Sequence, residues 1–170
     1  MPPTSPCWSN RCSLSGGCCV SRSASCTAAC WSSCGTVCRR LMTIPGVGPV
    51  VALTYRATVD VPARFKNSKA VGAVYGLTPS KYQSGEINRS GAISHCGDEM
   101  MRVMLYEAAQ VMLTRTNKWS WLKAWAVQIA KRRGMKKAIV ALARRLAVIM
   151  HRIWVNGTEF CWTREQAVAA

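Results

Sequence analysis

Acidic side chains are scarce in this sequence, which holds seven Asp and Glu against 23 Lys and Arg. The seven are scattered, with no pair at a spacing suited to magnesium, and the two histidines, His95 and His151, lie far apart. No metal-ligand cluster is visible after residue 38, so the chain by itself cannot build a conventional two-metal nuclease. A nucleotide-hydrolase loop is also absent, because Gly46 and Gly48 are not followed by Gly-Lys-Ser or Gly-Lys-Thr. Long apolar runs are missing too. Arg144, Arg145 and Arg152 interrupt the most hydrophobic segment, which excludes a membrane span of the usual length and leads us to expect a soluble, cytoplasmic protein with no membrane partner.

What is present points to a polyanion. The formal charge is +16 and the sequence pI near 10.0, so the chain attracts nucleic acid and should lose that affinity as salt rises. Ribosomal and membrane-surface proteins are equally basic, so charge alone names no partner. The stretch Ile44-Pro45-Gly46-Val47-Gly48-Pro49, flanked by apolar residues, is more specific and reads as a helix-hairpin-helix. Gly46 and Gly48 supply the tight turn and a close backbone approach, Pro49 suits the first turn of the second helix, and the helix N-terminus is aimed at a phosphate.

Composition changes sharply near residue 38. The first 38 residues hold eight of the ten cysteines, nine serines, two arginines and no acid. There are too few large aliphatics to offset the entropy of ordering, so residues 1–38 are expected to be disordered. A signal peptide is excluded by the missing basic and apolar regions. Cys26, Cys30, Cys34 and Cys38 would align on one helical face, yet they lack the paired Cys-x-x-Cys of structural zinc sites. The favoured reading is GC-rich DNA translated out of frame.

From Arg39 the pattern is helical, and the expected fold is all-α, a compact helical domain over 39–160 with a flexible tail at 161–170. Helices are predicted at Arg39–Met42, at Pro49–Thr58, from an Asn67 or Ser68 cap to Gly76, and from Asp98 through an apolar stripe of Met101, Met104, Leu105, Ala108, Val111 and Met112. Two more are predicted at Trp119–Ile129 and from Lys136 to about Val155. His151, inside the last of these, is read as a packed residue. Lys137, Arg144, Arg145 and Arg152 on that helix suit a solvated face and phosphate contact equally. Between Thr78 and Gly97 the sequence is polar and glycine-bearing, and reads as a long loop or a short hairpin.

That stretch holds the candidate nucleophile. Ser84 lies in Lys81-Tyr82-Gln83-Ser84-Gly85, between Lys81 and Arg89, which could hold a scissile phosphate. A serine hydroxyl needs activation, and the residues alone do not choose Ser84 over Ser80, Ser90 or Ser94.

Together these residues carry a resemblance. Ile44-Pro45-Gly46-Val47-Gly48, Arg64-Phe65, Gly76-Leu77-Thr78-Pro79, Tyr82-Gln83-Ser84-Gly85, then Ser94, Gly97 and Arg102 resemble, in that order, the C-terminal domain of the "one-ten" family of insertion-sequence transposases. The resemblance runs from about Arg39 to about Phe160. It implies a bridge-RNA-guided DNA recombinase that acts through a phosphoserine link, with Ser84 in the serine position. Gly46, Gly48, Lys81, Arg89 and Arg102 are then the expected DNA-binding residues. It also implies a homo-oligomer, at the nucleoid, in which magnesium is held by a separate RuvC-like domain and not by this chain. The RuvC-like acids do not occur here, so the expected product is a truncated or frame-damaged transposase. A helix-hairpin-helix accessory protein of repair or recombination would explain the turn and the charge but not the serine block, and a basic RNA-binding protein would explain the charge alone.

Overall fold

The computed structural model describes residues 35–163. The expectations for residues 1–34, including Cys26, Cys30 and Cys34, and for 164–170 lie outside them. Among the described residues the element order is α1 (Thr36–Leu41), α2 (Pro49–Val59), a 3-10 turn (Pro62–Arg64), α3 (Ser68–Val74), β1 (Pro79–Ser84), β2 (Ile87–Ile93), α4 (Glu99–Thr114), α5 (Trp121–Arg133) and α6 (Met135–Asn156).

The long helix α6 is the centre of the bundle, packing against α1, α3, α4, α5 and the 3-10 turn. Its sequence explains why. Ile139, Leu142, Leu146, Met150 and Ile153 recur at three- and four-residue steps and are buried, while the buried Ala138, Ala143 and Ala147 let neighbouring helices come close. Opposite them α4 buries Met101, Leu105, Ala108, Ala109 and Met112, whereas Val111 at the edge of that stripe stays exposed.

Helix ends follow local chemistry. The Asp98 carboxylate accepts from the Met100 amide and caps α4, and the Ser120 hydroxyl accepts from the Lys123 amide and caps α5. The break at Gly134, which takes a φ of +88°, separates α5 from α6. Helix α1 begins at Thr36, three residues before the expected Arg39, because Cys38 and Leu41 on one side of it are fully buried in the core.

The all-α expectation needs correction. β1 and β2 form an antiparallel hairpin of two strands, so the domain is mostly helical with one small sheet. Its strands are exposed on both faces, leaving no apolar alternation by which a strand declares itself in sequence.

The turn between α1 and α2 uses its two glycines differently. Gly46 takes a φ of +86° and presses on α4, where an added Cβ would lie 2.5 Å from the Ala108 carbonyl oxygen. Gly48 is extended at the N-cap of α2, with nothing within 4 Å of an added Cβ. Gly46 therefore serves the fold and Gly48 is unconstrained by it. Gly46→Ala should cost at least about 2 kcal/mol in a denaturant titration, and Gly48→Ala should stay within about 0.5 kcal/mol of the parent.

Two buried phenols tie the core together. Tyr55 donates its hydroxyl to the Ala147 carbonyl at 2.9 Å, joining α2 to α6, and its ring meets that of Tyr75 at 6.0 Å. The Tyr75 hydroxyl is buried with no hydrogen-bond partner. Burial pushes both phenols above their ordinary value of 10.0, with Asp98 raising Tyr75 further and Tyr75 raising Tyr55 further. The unfolded chain thus ionises first, so the stability these groups retain below about pH 10 is lost as pH climbs toward their folded-state values. Tyr75→Phe should match or exceed the parent by up to about 1 kcal/mol at neutral pH and flatten the alkaline loss. Tyr55→Phe should cost about 1 kcal/mol, because it strips a bond from a buried carbonyl. Chemical melts at neutral pH and above pH 10 check both.

Candidate functional site

The hairpin carries the serine block outward. Lys81 pairs with Ser90, Tyr82 with Arg89, Gln83 with Asn88 and Ser84 with Ile87. Directly opposed residues share a face and neighbours along a strand alternate. Tyr82, Ser84, Ile87 and Arg89 therefore occupy one face, and Lys81, Gln83, Asn88 and Ser90 the other. Of the two cations expected beside Ser84, Arg89 shares its face and Lys81 does not.

Ser84 ends β1 at the tip of the hairpin. Gly85, with a φ of +54°, fills the first of two turn positions, where a type II′ turn needs glycine. The Ser84 side chain is exposed, with no hydrogen bond among the described residues. Its rivals are placed otherwise. Ser80 donates to the Ala92 carbonyl at 3.0 Å, Ser90 lies on the opposite face, and Ser94 sits at the root of the hairpin, where its amide donates to the Thr78 carbonyl.

Tyr82 of the same block is 68 % exposed and shares the Ser84 face. It lies over Gly91, where an added Cβ would come within 3.2 Å of its ring. The Tyr-x-Ser spacing puts both side chains on one face because the segment is a strand.

The root of the hairpin is a contact between backbones. Gly76 takes a φ of +64° against the backbone of His95 and Cys96, and Gly97 a φ of +88° against the Val74 carbonyl. A Cβ at either would overlap those atoms. Arg102 of α4 closes the junction, its Nη1 donating to the carbonyls of Tyr75 at 3.3 Å and Cys96 at 3.5 Å. Arg102, expected to bind DNA, thus has partners inside the fold and braces the hairpin.

The remaining titratable candidates hold no reacting group. His151 is buried, with Nε2 donating to the Pro62 carbonyl at 3.1 Å, Nδ1 3.0 Å from the Ser68 hydroxyl, and its ring edge-on to Phe65. Asp98 accepts from Thr58 as well as capping α4. Among the described residues no three of His, Cys, Asp or Glu are grouped as they would be around a metal ion. None of the described helices is long and apolar enough to cross a membrane.

Comparison with known proteins places the chain among insertion-sequence transposases. Over 114 residues the chain is 36 % identical to the transposase for insertion sequence element IS1111A of Coxiella burnetii, covering 66 % of this chain and 31 % of that protein. Over 123 residues it is 31 % identical to the transposase for insertion sequence element IS1328 of Yersinia enterocolitica, covering 72 % of this chain and 37 % of that protein. The chain spans about a third of the length of the curated relatives it matches. Residues 38–126, which run from the first helix through the hairpin into α5, match the Transposase IS116/IS110/IS902 family, and the chain belongs to that family.

Proposed function

We propose that this chain is the DNA-handling, serine-bearing C-terminal part of an insertion-sequence transposase, with Ser84 as nucleophile. The observation that carries the reading is the hairpin face that an exposed Ser84 shares with Arg89, one same-face cross-strand pair away, on a root braced by Gly76, Gly97 and Arg102. In the reaction the Ser84 Oγ attacks a DNA phosphorus. The Oγ–P bond forms as the bond to one deoxyribose oxygen breaks. The serine proton leaves to a base, and the departing oxygen takes up a proton. Arg89 offsets the charge that gathers on the phosphate oxygens.

The turn before α2 supports a phosphate grip of helix-hairpin-helix type. First-turn amides of a helix have no intrahelical acceptor, and the open approach at Gly48 leaves room for a phosphate there. Magnesium, in this reading, is held by a RuvC-like part of the transposase that supplies the acids these residues lack. Bridge RNA, self-association and a place at the bacterial nucleoid belong to the same proposal. The ordered serine block favours this reading over an accessory DNA-binding protein or a general RNA-binding protein.

The test joins this chain in frame to the missing portion of a family relative and supplies magnesium, guide RNA and a nicked DNA substrate that traps covalent adducts. Ser84→Ala should abolish the adduct while leaving DNA affinity within about twofold, since one hydroxyl carries little binding energy. Persistent adduct in that variant would move the nucleophile to another residue.

A further inference from the structure

The cations of α6 are not used by the serine face, and their placement is ordered. Lys137, Ala141, Arg144, Val148 and Arg152 recur at steps of three or four, forming one stripe about 22 Å long at the rise of an α-helix. The stripe borders a groove of about 960 Å³ with Trp121, Trp125, Val148 and Ile149 on its apolar side. A second groove, of about 650 Å³, lies between α6 and the base of the hairpin at Pro79, Gly91 and Ile93, and is lined by Arg132 and Arg133. The two grooves share Lys137, Val140 and Ala141 and so adjoin along α6.

Charge along this path is almost all of one sign. Lys69, Arg132, Arg133, Lys137, Arg144 and Arg152 line it, all exposed and without a carboxylate partner among the described residues, and Glu159 is the one acid. Arg144 is additionally held in place, its stem lying across Gly72 of α3. On the apolar side the Arg145 guanidinium lies 4.5 Å from the Trp125 ring centroid and 5.1 Å from that of Trp121, in cation–π range of both. A row of cations beside a planar, partly apolar surface suits a strand whose bases are unpaired. Phosphates follow the cations, and sugars and bases lie along the apolar side lined by Trp121, Trp125 and Val148. A duplex hides its bases and would leave the apolar side unused.

We propose that the two grooves form one path for a single strand of DNA, running along α6 from the root of the hairpin toward Asn156. It rests on the reading of the chain as the DNA-handling part of a transposase, but not on Ser84 as nucleophile. The site would feed a strand toward the hairpin or hold the strand displaced from it.

The test uses the whole 170-residue chain. Fluorescence anisotropy follows a labelled oligothymidylate of about twelve nucleotides across a salt series. Two variants, Arg144→Gln with Arg152→Gln, and Arg133→Gln with Lys137→Gln, each neutralise one end of the path. Each pair should weaken binding at least about tenfold at low salt and reduce the slope of log affinity against log salt by about 1.4, two contacts at about 0.7 each. Tryptophan emission should change on binding in the parent. Helical circular dichroism checks that both variants fold, and either one alone suffices if the other does not. Unchanged affinity and slope in a folded variant would overturn the proposal. So would tighter binding of an equal-length duplex or of oligouridylate with the same residue dependence, which would give the path to duplex DNA or to RNA. Loss of the Ser84 adduct reading with this binding intact would refute the nucleophile alone.

Discussion

The functional architecture depends on one close contact between two stretches of backbone. Gly76 and Gly97 bring the chain entering the hairpin against the chain leaving it, at a separation that no side chain permits. A hairpin exposed on both faces has almost no core of its own, and an isolated one is marginal in water. Its position must come from its ends. The glycine contact provides that, and Arg102, reaching from α4 to the Tyr75 and Cys96 carbonyls, fixes the junction to the helical body. Whatever Ser84 does, it does from a tip whose root is held by atoms some ten residues away.

α6 performs the complementary task. One side supplies the buried aliphatics on which the other helices pack, and the other carries cations and the margin of the apolar groove. Because both sides belong to one rigid element, the spacing of the basic residues is set by the same helical rise that sets the core. His151 shows how strictly the inner side is committed. Both ring nitrogens are satisfied inside the fold, one by Pro62 of the 3-10 turn and the other by Ser68 at the start of α3.

Much of this was legible before any coordinates. The stripes of α4 and α6, the Asp98 cap and the break at Gly134 follow from three- and four-residue periodicity and capping chemistry. The hairpin was only half legible, since polar residues on both faces of a strand look like a loop. The roles of glycines were harder still. Gly46 and Gly48 look alike in sequence, yet one is fixed by the backbone of α4 and the other by nothing within the fold. Arg102 is expected at DNA through the family resemblance, and only the geometry reveals the two carbonyls it serves. The side of the hairpin on which each cation stands required the register, which no spacing argument supplies without knowing where the strands turn.

That register is also what makes the serine site testable at its centre. Arg89 and Ser84 lie on one face of the hairpin and Lys81 lies on the other, although Lys81 is nearer to Ser84 in sequence. The decisive measurement is the single-turnover rate of covalent adduct formation in the reconstituted transposase carrying Arg89→Ala or Lys81→Ala. If Arg89 shares the phosphate with Ser84, its loss should slow the step by about 10²–10³-fold, the scale of removing one transition-state charge stabiliser, while the loss of Lys81 should slow it only a few-fold. Equal effects of the two substitutions, or a larger one at Lys81, would contradict the face assignment and with it the site.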